Sequence, residues 1–571
     1  MLTFRGIRTQ ANQDVQNGAY LMEGLRELMQ KLTTRLDKHD GEVVATLQRV
    51  AKGELKMVET ISPEEKEYAR ALFGWIAEVG PQKVWAKIQP VLADPATLKG
   101  GIALDEILPD PHPGYSVFPT PHQRKELKDY LKDKRNQARL AVLLMSYIFY
   151  KQFHYPQPET GMYEISGNPF QKVKWLYRYW FNQLEVAEKE SGLEEFFASQ
   201  VLNFFKLNDS SIDPGFAYPP VRTFSVSCAG DLLAVDCLTP ENTPHLFDDI
   251  IDFYSTADIV SANLESTVNK KRPVGRDQDP GKPARMNTSE AMFQKFRDEA
   301  KINFFSTATN HAMDWGEEGV LATLEVLKKS GAYYSGTAAS QAEQDDVVVV
   351  EKNGIKVGLL AYTFDLNGHE VPPDKPYLAN EVRFNDAHPA PDYSLIEKQV
   401  AAAKAKGADW IIAYCHWGWE FEMYPHVSIV EAAHKVIACG VDTIFGNHPH
   451  VSQPAQLVPR PGKQDALVVY AFGDFVSYHP ESRNSKLAYI IKFNIGKALG
   501  STRLFNLRTL PIYIVNERLD GDRFNCRIVK FSDVLENPDS YGLTELEKSQ
   551  LPHLHDKVWK DILSPISNIQ E

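Results

Sequence analysis

Apolar positions follow one period in the N-terminal part of this chain and another beyond it. Up to about Leu207 they recur every three or four residues, the spacing of a helix face. Leu21, Leu25, Leu28 and Leu32 predict a helix over Tyr20 to Leu36. Ser62 followed by Pro63 is a helix start, and Tyr68, Leu72 and Trp75 carry that helix to Val79. Gln123 to Phe153, charged at first and apolar later, predicts one long helix. Asn168 to Leu207 is rich in aromatics (Trp175, Tyr177, Tyr179, Trp180 and Phe181). Packing between helices or against a second domain accounts for them better than stacking on a ligand.

Residues 208–221 are rich in Pro, Gly, Asp and Ser and read as a linker. Beyond them short apolar runs alternate with amphipathic helices. Strands are predicted at Phe224 to Ala229, Asp258 to Leu264, Ile302 to Ala308, Trp410 to Tyr414, a run from Ile444, and Ala466 to Phe472. A hairpin is predicted at Asp346 to Val350 and Ile355 to Thr363, turning at Asn353-Gly354. Helices are predicted at Ser289 to Ala300, Glu317 to Ser330, Tyr393 to Lys406 and Val427 to Ala438, the last three stopped by glycines. Further strands follow at Ala488 to Asn494, Leu510 to Asn516 and Phe524 to Val529, then a polar helical end. The pattern is an all-α domain over 1–207, a linker over 208–221, an α/β domain over 222–530 and a helical extension over 531–571.

Length and charge narrow the function classes. A chain of 571 residues exceeds one compact core, with roughly two to four domains expected. The net charge of −13 argues against nucleic acid or an anionic membrane as the main partner. It leaves room for an anionic small substrate, because a metal supplies local positive charge. Five cysteines without a CxxC pair do not form a disulfide framework. Met1 to Gln16 has no apolar signal core, and Leu140 to Tyr150 is too short to span a bilayer. A cytoplasmic protein without membrane insertion is expected.

Six predicted strands end in metal-competent or acid–base residues: Asp231, Glu265, Asn310-His311, His416, His448/His450 and Asp474. In open α/β sheets ligands bind outside the carboxyl ends of the strands. Each ending has its own bland reading: a cap or turn for Asp231, a solvated strand end for Glu265, a satisfied core histidine for His416. Together they offer carboxylate, amide and imidazole donors, a set suited to zinc, manganese or iron rather than calcium.

The segments GDLLAVD (Gly230 to Asp236), NLES (Asn263 to Ser266), the long run Ala308 to Thr337, HWGWE (His416 to Glu420), GNHPHVSQP (Gly446 to Pro454) and YAFGDF (Tyr470 to Phe475) stand in a familiar order. Over about 222–480 the chain resembles the CapA family of poly-γ-glutamate capsule biosynthesis, itself similar to calcineurin-like metallophosphoesterases. The resemblance implies a metallophosphoesterase-like α-β-β-α sandwich with one or two divalent transition metal ions. It implies metal ligands at Asp231, Glu265 (where a bridging aspartate is usual), Asn310, His416, His448 and His450, with His311 as the acid. Asp314, with Trp315, is expected to orient the His311 loop or to join the catalysis. Arg285, Trp417, Glu420 and Asp474 are assigned to the substrate side. Arg285 lies with Lys282 in a Pro/Gly-rich loop that reads either as a basic cover over the site or as solvated surface. Two departures stand out. Leu233 occupies the histidine position of the phosphoesterase D-x-H pattern, and Gly473-Asp474-Phe475 replaces the usual G-N-F.

The expected activity is metal-dependent hydrolysis of a phosphoester or of an amide in an acidic, peptide-like substrate. Epimerisation of a peptide residue by α-proton abstraction and a non-enzymatic role in polymer assembly are the alternatives. Residues 1–207 are expected to serve as a cap, a homo-oligomer interface or a surface for a protein partner.

Overall fold

The computed structural model describes residues 20–57, 61–93, 107–108, 119–154, 169–181, 192–201, 204, 222–278, 283–386, 390–498 and 501–571. The linker expected at 208–221 lies outside the described residues, as does Lys282. The chain divides into two compact units. One comprises 1–156, 163–183 and 279–283, and the other comprises the remainder.

All the described secondary structure of the first unit is helical. The first helix, Tyr20–Ala51, runs past the expected Leu36, because Val43, Leu47 and Val50 prolong the same buried stripe. The expected long helix is instead three pieces, Pro121–Tyr130, Lys134–Ile148 and Tyr150–His154. The break falls at Asp133, whose side chain caps the second piece by accepting from the Arg135 amide at 2.8 Å. The aromatic stretch contributes helix Pro169–Phe181, where Tyr177 meets Phe153 edge-on at 5.3 Å. Tyr177, Trp180 and Phe181 are core residues.

The second unit is built on two mixed sheets. Strands β1 (Arg222–Leu232), β2 (Ile259–Leu264), β5 (Phe304–Ser306) and β6 (Tyr333–Ser335) run parallel. The antiparallel strands β14 (Leu487–Ala498), β15 (Ser501–Arg518) and β16 (Phe524–Lys530) extend the same sheet from β1. The other sheet has the order β11 (Ala455–Val458), β12 (Ala466–Val469), β10 (Thr443–Asn447), β9 (Trp410–His416), β8 (Ile355–Thr363), β7 (Val348–Lys352), with its four inner strands parallel. A short ribbon, β3 (Gly275–Asp277) with β4 (Arg285–Asn287), lies beside them. The β7–β8 hairpin turns at Asn353-Gly354, both with positive φ.

The sheets pack face to face. Phe304 of β5 meets Tyr414 of β9 at 4.8 Å, and Phe445 of β10 meets Phe493 of β14 at 6.1 Å. Helix Glu290–Asp298 buries Met292, Phe293 and Phe296 in a cluster with Val260 and Phe305 of the first sheet. Gly358 of β8 leaves room for Ala403 of helix Ser394–Ala405 on the second. The result is the expected α-β-β-α sandwich, preceded by helices. Among the described residues no helix is long and apolar enough to cross a membrane.

One strand reading is corrected. The run Ala466 to Phe472 was expected to end at Asp474 as one strand. Strand β12 stops at Val469, and Asp474 opens a separate strand, β13 (Asp474–Val476), paired with β1 in the other sheet. Gly473, at φ 83°, makes the turn that lets the chain change sheets.

Candidate metal centre

Close backbone approach brings the strand ends together. A methyl group at Gly230 would overlap the Gly473 carbonyl, and one at Gly446 would overlap the Tyr470 carbonyl. These two glycines let β1 abut β13 and let β10 run close to the chain after β12. Beyond β10 the loop is bent sharply, with His448 at φ 100° and His450 at φ 54°. Two imidazoles one residue apart are thereby aimed inward.

Asp231, Glu265, Asn310, His416, His448 and His450 are all buried. Asn263 Nδ2 donates to Asp231 Oδ1 at 2.7 Å, and the His448 amide donates to Asp231 Oδ2 at 3.2 Å. His416 Nε2 lies 2.9 Å from Asn310 Oδ1 and 3.5 Å from Glu265 Oε1. His450 Nε2 lies 3.6 Å from Glu265 Oε1, while its Nδ1 is hydrogen-bonded to Asp474 Oδ1 at 2.8 Å. Ser477 Oγ donates to Asp474 Oδ2 at 2.6 Å. Three sets of potential ligands overlap here: Glu265 with His416 and His448, Asp231 with Glu265 and His450, and His450 with Asp474 and His479. Within each set the donor atoms lie no more than 4.8 Å apart.

Electrostatics set this cluster apart from an ordinary polar core. Both carboxylate oxygens of Glu265 are buried without accepting a hydrogen bond. Burial is costly for a charge so placed, and it pushes the Glu265 carboxyl well above the usual range. Burial likewise raises Asp231 to about 6, against the opposing pull of His450. His416 is driven well below the ordinary histidine value by burial and by the neighbouring imidazoles, and so stays neutral. Buried beside the acids, His450 is pulled well above the ordinary histidine value by Glu265 and Asp474 against its burial. A buried acid left without hydrogen-bond donors, at ligand spacing from the neutral His416 and from His448 and His450, fits a divalent cation.

Beside the cluster is a second unit. His311 Nδ1 is hydrogen-bonded to Asp314 Oδ2 at 2.7 Å, and the Met286 amide of β4 donates to the same oxygen at 2.6 Å. Asn367 Nδ2 stands 3.3 Å from His311 Nδ1. Arg285 and Arg272 stack on Trp315, next in sequence to Asp314, at 4.4 and 4.9 Å from the ring centre. Arg285 also pairs with Asp277.

The four residues assigned to the substrate side part company. Asp474 sits inside the cluster on His450. Glu420 Oε1 is 3.9 Å from His450 Nε2 and lies at the edge of the cluster. Trp417 is buried, its indole donating to the Tyr470 carbonyl at 3.0 Å. Arg285 is on the ribbon beside the His311–Asp314 pair. Sequence reasoning passed over His479, Asn263 and Asn367. Asn263 stood in a recognised motif, whereas His479 and Asn367 carry no spacing signal.

A two-sheet α/β sandwich with a carboxylate–imidazole cluster at its parallel strand ends is the class this unit defines. Residues 225–479 match the family described as Bacterial capsule synthesis protein PGA_cap. The chain is 26% identical over 240 residues to the capsule biosynthesis protein CapA of Bacillus anthracis, covering 41% of this chain and 54% of that one. It is 26% identical over 270 residues to the PGA biosynthesis protein CapA of Bacillus subtilis, covering 45% and 66% respectively. The chain thus spans about half to two thirds of the length of these curated relatives. Among solved structures, a hypothetical protein from Thermus thermophilus aligns at 15% identity and a TM-score of 0.31, over 50% of this chain and 98% of its own. The calcineurin-like phosphoesterase YfkN from Bacillus subtilis aligns at 15% identity and a TM-score of 0.28, over 59% and 99%.

Proposed function

We propose that the chain is a metal-dependent hydrolase, acting on a phosphoester or on an amide of an acidic, peptide-like substrate of the poly-γ-glutamate type. The observation that carries this reading is the buried Glu265 carboxylate, without hydrogen-bond donors, among His416, His448 and His450. Asp231, Glu265 and His450 would hold one divalent cation, and Glu265, Asn310, His416 and His448 another. Bound there, manganese, zinc or iron supplies Lewis acidity and offsets charge that builds on the reacting group.

The protein's own residues do the rest. Asp314 fixes His311 through Nδ1, which leaves Nε2 to give a proton to a leaving oxygen or nitrogen. Arg272 and Arg285 stack on Trp315 and pair with Glu318 and Asp277, which holds the Trp315 side of the His311 loop in place.

The test is turnover by manganese-loaded protein of an aryl phosphodiester and of short poly-γ-glutamate, in deuterated and ordinary water. Release of phenol or amine is expected, with His311→Ala slower by about 10²–10⁴-fold. Deuterium uptake into uncleaved peptide would replace the hydrolase reading with epimerisation. No turnover and no exchange on either substrate class would leave a binding role.

A further inference from the structure

The fold brings together two thiols that the sequence holds 289 positions apart. Cys237 follows the end of β1 and Cys526 lies within β16, and their sulfurs are 3.9 Å from one another. All five cysteines are free, and among the described residues this is the one pair of thiols in contact. The backbone around both is pinned. Asn242 donates from Nδ2 to the Cys237 carbonyl at 2.9 Å and accepts from the Phe524 amide at 3.0 Å. The Ile528 amide donates to the Leu246 carbonyl at 2.9 Å. The loop after β1 is thereby fastened along β16, the edge strand of its sheet, on both sides of Cys526.

The two sulfurs differ in what can reach them. Cys526 is buried in the apolar cluster with Leu238, Leu246 and Ile528, whereas Cys237 is half-buried at the margin of that cluster, as are Phe524 and Tyr478. Two thiols that only fill a core would both be enclosed. Here a reagent from solution meets Cys237 first, and Cys526 stands behind it as a second thiol in contact. An S–S bond is about 2.05 Å long, so the sulfurs close by about 2 Å, a movement that rotation of the two side chains supplies. Contact with Cys526, and then burial, hold the Cys237 thiol well above its ordinary range, so the pair rests as thiols until an oxidant is supplied.

We propose that Cys237 and Cys526 are a redox modification site, forming a reversible disulfide that locks the loop after β1 onto the edge strand β16. The oxidant is a small-molecule disulfide. The Cys237 thiolate attacks one of its sulfurs, forming a mixed disulfide and releasing one thiolate, which takes up the proton that Cys237 gave. The Cys526 sulfur then attacks Cys237 Sγ, gives up its own proton and displaces the second thiolate, which takes that proton. Two protein thiols are oxidised, and one small disulfide is reduced to two thiols. The bond adds a covalent tie to the hydrogen bonds of Asn242 and Leu246, and across 289 positions it removes freedom from the unfolded chain. The proposal is independent of the metal reading.

The test uses the folded full chain and oxidised glutathione. The protein is incubated in mildly alkaline buffer until thiol loss levels off, alkylated, digested without reduction and mapped by mass spectrometry. The wild type is expected to yield a peptide pair joined through Cys237 and Cys526. Its melting temperature is expected to rise by about 3 °C or more and to return on reduction. Cys526→Ser is expected to stop at the mixed disulfide, with glutathione kept on Cys237, and to show no such rise. Cys237→Ser is expected to leave Cys526 reduced. The wild-type result stands whether or not either variant folds. Wild-type protein in which both thiols stay reduced, or in which glutathione stays on Cys237 without a crosslink, overturns the proposal. A crosslink that leaves the melting temperature unchanged overturns the locking role.

Discussion

At the scale of single residues, the centre is a set of groups whose ordinary ionisation the fold opposes. Asp231 ionises at about 6 because burial outweighs its two donors, Asn263 and the His448 amide. In the unfolded chain an aspartate ionises near ~3.9. The folded value is the higher one, so between about 4 and 6 the folded state holds a proton that the unfolded state has released. Stability contributed at this site therefore falls as pH rises through that window. Metal-free Asp231→Asn lacks that loss. Its stability relative to the metal-free wild type, from denaturant melts, is expected to rise between about pH 4 and 6 and then level off. A difference that stays flat across this range would contradict the assignment. Comparing variant with wild type also removes the opposing contributions of the neutral histidines, His416 and His479.

At the scale of elements, parallel strands deliver the candidate ligands and glycines set the distance between them. Gly446 is the sharpest case, because any side chain there would meet both the Tyr470 carbonyl and the Trp417 indole. Gly446→Ala is expected to cost roughly 1–3 kcal/mol by overpacking. It should also displace the His448–His450 loop, so that metal affinity falls with the melting temperature. A variant that melts lower but binds metal as before would show the loop to be independent of β10. The same elements show what was legible in the sequence. Strand and helix periods located most of the sandwich, and the apolar runs stopping at Asp231, Glu265, His416 and His448 marked its working edge. The separate strand at Asp474 was not legible, since a short strand across a glycine turn looks like the end of the apolar run before it. His479 was not legible either. Its partner His450 is distant in the chain, and no motif spacing encodes a contact made by strand register. In the helical part the Asp133 cap that divides the expected long helix was visible as a residue, but the apolar stripe on either side masked it.

At the scale of the whole molecule, the candidate metal centre lies within the region that matches PGA_cap, and the helical unit has no such cluster among the described residues. The acidic balance of the chain, net −13, leaves a cation at the proposed centre as the source of local positive charge for an anionic substrate. The central claim is that Glu265 is a ligand rather than a buried acid. The most direct measurement is metal content per chain by inductively coupled plasma mass spectrometry. Protein is purified without chelators or a histidine tag, before and after incubation with manganese, zinc or iron, with Glu265→Gln alongside. The account predicts near-stoichiometric metal in the wild type and its loss in Glu265→Gln. Wild-type protein that stays metal-free with every ion, or a Glu265→Gln variant that retains the full metal content, would contradict it.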